Sequence, residues 1–100
     1  MIRHIVMFRF RESAQGKSKE ENIALAKQKL EALPPIIPQI RSFDVRLNCN
    51  DNGTNCDLAL IADYENLDDL EIYRVHPAQV AVGAFMKETT ELRAGFDFEL

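Results

Sequence analysis

Residues 2–10, Ile2-Arg3-His4-Ile5-Val6-Met7-Phe8-Arg9-Phe10, are rich in β-branched and aromatic side chains, which predicts a strand. Ser18 and Glu21 have capping-box spacing just ahead of an apolar-periodic run, Ile23, Ala26, Leu30 and Leu33. That pattern predicts a helix of about four turns, stopped by Pro34-Pro35. Residues 42–49 alternate as a second strand. The turn-forming segment Asn50-Asp51-Asn52-Gly53-Thr54-Asn55 then leads into a third, residues 57–64. Asn66 is the expected N-cap of a second helix bearing Leu67, Leu70 and Tyr73. Pro77 disfavours the helical conformation at His76, so this helix breaks there. A short helix begins at Pro77 and carries Val80, Ala84 and Phe85, and a last strand covers residues 92–99. The order β-α-β-β-α-β predicts one α+β domain over residues 1–100, of the ferredoxin-like kind.

Side chains alternate across a strand, so each strand contributes two sets. The more apolar set holds His4, Val6, Phe8 and Phe10, with Val45, Leu60 and Tyr64 from the middle strands. From the last strand it takes Leu92, Ala94, Phe96 and Phe98, and all are expected beneath the helices. The other set mixes Ile5, Met7, Ala59 and Ile61 with Arg3, Arg9, Arg46, Arg93, Asp44, Asp63 and Asp97. A sheet face left in water is ordinarily polar, so the apolar members of this set point to a homodimer packed sheet to sheet. The arginines are then expected to meet aspartates across the interface.

Composition narrows the function. Apolar residues at 46% and charged residues at 28% are a globular balance, not that of a disordered chain. No apolar run reaches the roughly 18 residues of a membrane span, and Arg3 and Arg9 interrupt the N-terminal apolar stretch as a signal sequence would not tolerate. A cytoplasmic protein is expected, with no membrane association. The net charge of −4, with no basic stripe, argues against nucleic-acid binding. Cys49 and Cys56 flank the Asn/Asp/Gly segment; a disulfide across it is conceivable, but in a reducing compartment two free thiols are expected. Neither a metal set nor a cofactor motif is present, so no metal and no cofactor are expected.

The opening Arg3-His4-Ile5-Val6, the segment Tyr64-Glu65-Asn66-Leu67-Asp68-Asp69-Leu70, and Tyr73-Arg74-Val75-His76-Pro77-Ala78-Gln79 followed by Phe96-Asp97-Phe98 resemble the stress-responsive A/B barrel family along the whole chain. The resemblance implies a dimeric α/β barrel in which two four-stranded sheets face each other. In a plant cyclase of that family, an aldol closure is attributed to a first-strand histidine, which corresponds to His4, and to a second histidine three residues beyond the His-Pro histidine. The second position is Gln79 here, and a carboxamide cannot act as a base. A pocket tyrosine corresponds to Tyr73, whereas a first-helix tyrosine has no counterpart. Aldol cyclisation is therefore not expected.

Among the candidate residues, His4 is either a catalytic base in a pocket or a buried histidine bonded to a backbone carbonyl or Tyr73. His76 either faces the pocket or caps the following helix. Tyr73, Gln79 and Phe85, with Phe8 and Met86, are candidates for a pocket wall or for plain core. Three functions follow from these alternatives. The first is a dimer binding a small hydrophobic ligand, or serving as an accessory protein, without catalysis of its own. The second is a cofactor-independent enzyme (cyclase-, isomerase- or monooxygenase-like) acting on a hydrophobic carbonyl compound through His4. The third is a structural or interaction protein whose pocket is filled by its own side chains.

Overall fold

The computed structural model describes residues 1–100 and contains six strands and three helices. β1 is Ile2–Phe10, β2 Ser13–Ala14, β3 Lys17–Ser18, α1 Lys19–Glu31, β4 Ser42–Leu47, β5 Leu58–Tyr64, α2 Leu67–Val75, α3 Pro77–Thr89 and β6 Thr90–Glu99. The main sheet is antiparallel throughout, in the order β4-β5-β1-β6, and the helices cover one face. This is the ferredoxin-like α+β arrangement. The small β2–β3 hairpin was not expected. Gln15 and Gly16 both take positive φ, 56° and 71°, which suits a two-residue turn between strands.

The helix caps are the expected ones. Ser18 and Glu21 form a reciprocal capping box on α1, and the Asn66 side chain accepts from the Asp69 N–H at the start of α2. Asn22, fully buried on α1, donates from Nδ2 to the Ala14 carbonyl at 3.0 Å and so ties the hairpin to the helix layer. The core beneath that layer joins Val6, Phe8 and Phe10 of β1 to Leu58 and Leu60 of β5, closed from above by Leu30 and Met86.

Three expectations need correction. α3 is not short, and Val80 and Ala84 point outward; its buried face is Val82, Met86 and Thr89. From Val80 to Met86 all but Gly83 are apolar, so periodicity could not single out an inner face. Secondly, the two faces of β6 are the reverse of those expected. Residues paired directly across strands share a face, and Arg93, Gly95 and Asp97 pair with Phe8, Val6 and His4 on the helix side. Leu92, Ala94, Phe96 and Phe98 instead join Ile5, Met7, Ala59 and Ile61 on the open face. Alternation tells two faces apart but does not say which one lies inside.

Finally, the arginines of the open face find partners within their own chain. Arg3 forms a two-pronged pair with Asp63, at 2.9 and 3.0 Å, and Arg46 pairs with Asp44. Arg9 donates to the Thr54 and Asn55 carbonyls. These short-range pairs form because each arginine lies beside its acceptor in the sheet or the adjoining loop. What remains unsatisfied on that face is apolar: Phe96 is 66% exposed, Leu92 47% and Met7 43%.

Candidate functional site

The reversed face of β6 brings Asp97 against His4. The His4 side chain is only 11% exposed, and its Nδ1 contacts Asp97 Oδ1. With Nδ1–H donating to the carboxylate, a neutral imidazole keeps its lone pair on Nε2. His4 also lies edge-on to Tyr64 and to Tyr73, with ring centroids 6.4 Å away in each case. The two tyrosine rings are 5.1 Å apart, and Phe43 closes against Tyr73 at 6.0 Å. Burial pushes the Tyr73 phenol up to about 12, partly offset by the neighbouring Tyr64 hydroxyl and the Arg93 charge. Burial raises Tyr64 further still, with contributions from Tyr73 and Asp97. Both phenols are therefore neutral donors at physiological pH.

Beside these groups a cavity of about 500 Å³ opens between the helices and the sheet. Its apolar wall is Val6, Phe8, Leu30, Leu60, Val82 and Met86, and its polar lining includes His4, Tyr73 and Gln79. Gln79 Oε1 is buried without a partner, so the amide is free to bond a ligand. Gln79, Val82 and Met86 recur three and four residues apart and so share one side of α3.

Of the residues singled out from the sequence, His4, Tyr73 and Gln79 come together here, along with Phe8 and Met86. His76 and Phe85 do not line the cavity. The His76 ring is engaged as the cap of α3, its Nδ1 accepting the Ala78 N–H at 3.1 Å, directly before Pro77 at the first helical position. Phe85 faces Lys29 of α1, whose Nζ lies 5.1 Å from the ring centroid, because one residue along a helix turns the side chain by about 100° away from Met86. Asp97 and Arg93 were missed as site residues. Their signal was the alternation of β6, assigned to the wrong side. Nowhere do three His, Cys, Asp or Glu side chains cluster as a metal set, and Cys49 and Cys56 are both free.

The sequence profile of the Stress responsive A/B Barrel Domain family matches residues 2–100, and the chain belongs to that family. Among solved structures it is similar to a dimeric protein of unknown function and ferredoxin-like fold from Bacteroides fragilis NCTC 9343. That match has 38% identity over 99% of this chain and 95% of the other, with a TM-score of 0.87. A dimeric ferredoxin-like protein of unknown function from Thermobifida fusca YX matches at 25% identity over 99% and 90%, with a TM-score of 0.85. A hydroxynitrile lyase from Passiflora edulis shares the fold, at 14% identity over 97% and 90% and a TM-score of 0.81. No curated protein matches the sequence. No helix is long and apolar enough to cross a membrane.

Proposed function

We propose that this protein works as a homodimer that binds a small, mainly apolar molecule in the cavity beside His4. The observation that carries the reading is the cavity itself. Its volume of about 500 Å³ falls in the range of small-molecule sites, roughly 300–1,000 Å³, and it combines an apolar wall with a few convergent polar groups. A core filled by its own side chains would leave no such space. The dimer is supported by the exposed Leu92, Phe96 and Met7 on one sheet face and by the dimeric relatives of known structure. In this reading the protein works in the cytoplasm, where free Cys49 and Cys56 are at home.

The test is uptake of a neutral apolar dye, N-phenyl-1-naphthylamine, whose fluorescence rises on leaving water. Wild type should bind it saturably, and Val82→Trp, which fills the cavity, should weaken that binding at least tenfold while the protein stays folded. Saturable binding of equal strength in both would move the ligand site elsewhere.

The His4–Asp97 contact favours a second reading, proton transfer without a cofactor. Asp97 fixes the imidazole so that Nε2 takes a proton from the carbon next to a ligand carbonyl, and the Tyr73 hydroxyl donates to the enolate oxygen that forms. Gln79 leaves His4 as the single imidazole of the site. Deuterium exchange next to the carbonyl of 2-octanone, followed by NMR, should be faster with wild type than with His4→Gln; equal rates would remove this reading and leave ligand binding standing.

A further inference from the structure

The cavity is charged in a way its apolar wall does not require. Its lining holds three cations, Arg11, Lys87 and Arg93, against one carboxylate, Glu91, in a chain whose net charge is −4. None of the three makes an ion pair or a side-chain hydrogen bond, whereas Arg3, Arg46 and Arg74 are each held by a carboxylate. Arg93 lies over Gly95 on the helix side of β6, and a Cβ at that glycine would stand 3.1 Å from Arg93 Nη1. Gly95 thus leaves room for a guanidinium that nothing in the protomer neutralises.

The two polar ends of the cavity are also separated. Arg11 follows the end of β1, and the Arg93 backbone pairs with Phe8, four residues along the strand from His4, while the Arg93 guanidinium folds back over Gly95, which pairs with Val6. Four strand residues span roughly 13 Å. Gln79 and Lys87 repeat the separation along α3, near its start and near its end. Between the ends run Val6, Leu60, Val82 and Met86.

Resting on the ligand-binding reading above, we infer that the ligand is an amphiphilic carboxylate, its carboxylate held by Arg93 with Arg11 and Lys87 and its alkyl chain lying along Val6, Leu60, Val82 and Met86. A planar guanidinium matches a carboxylate with two parallel hydrogen bonds, and an alkyl chain matches the apolar wall between the cations and His4.

The experiment compares octanoate with 1-octanol, which has the same chain length and no charge, by calorimetric titration of the intact protein. Wild type should bind octanoate at least about tenfold more tightly than octanol, and added salt should weaken octanoate alone. Arg93→Gln should cut that preference to about twofold or less, chiefly by weakening octanoate, with the melting temperature unchanged. Equal binding of octanoate and octanol by wild type overturns the inference while the ligand-binding reading survives. A preference untouched by Arg93→Gln overturns it as well. Binding of neither compound removes the reading on which the inference rests.

Discussion

Asp63 receives three hydrogen bonds, two from Arg3 and one from the Ser42 hydroxyl at 2.8 Å. The Arg3 hydrogen bonds, aided by Ser42 and opposed by partial burial, hold its carboxyl below the usual carboxylate range. A depressed native value stabilises the fold above the unfolded value of about 3.9, and that contribution is lost as pH falls through the native value. Urea unfolding should therefore show wild type ahead of Asp63→Asn near neutrality, with the gap closing at strongly acid pH. A gap that stayed constant with pH would mean the carboxylate charge is not what stabilises. At His4, Asp97 should hold the neutral imidazole in the Nδ1–H form, the less common tautomer in water. Nitrogen-15 chemical shifts of His4 at alkaline pH should show this, and Asp97→Ala should move the population toward Nε2–H. An Nε2–H form in wild type would mean that Asp97 does not orient the ring.

The helices were legible from their ends. Ser18, Glu21, Asn66 and Pro77 act through short-range contacts with the backbone, which sequence spacing alone specifies. His76 belongs with them. Replacing it with Ala should cost about 1 kcal/mol, Asn should recover most of that, and neither change should alter ligand affinity. Loss of affinity in His76→Asn would return His76 to the binding site. The strands were legible in position and order but only partly in facing. On β1 and β5 the apolar set lies under the helices, as expected, because these inner strands are fully covered there. β6 is an edge strand that the helices hardly shield, and nearly all of it is exposed in the protomer. Its apolar side turns away from the helices, so apolarity pointed to the wrong face. That error hid Asp97, the partner of His4, and Arg93 of the cavity lining.

At the scale of the molecule, the same reversal enlarges the case for association. Phe96 and Phe98, with ring centroids 5.9 Å apart, add an aromatic pair to the open face, while Arg3 and Arg46 there are already paired with carboxylates and Arg9 is bonded to loop carbonyls. Light scattering should return twice the mass of a single chain at micromolar concentration, and Phe96→Asp should shift it toward the monomer by forcing an unpaired charge into the contact. A wild-type monomer would leave the apolar face without a reason. In the proposed function the two faces of the sheet have separate tasks, one for the second subunit and one for a ligand. The most direct test of that division is a methyl NMR titration with octanoate. The account predicts saturable shifts of the Leu30, Leu60, Val82 and Met86 methyls around the cavity, with Ile5 and Ile61 on the opposite face unmoved. Shifts confined to Ile5, Ile61 and Leu92, or no saturable shift at all, would contradict it.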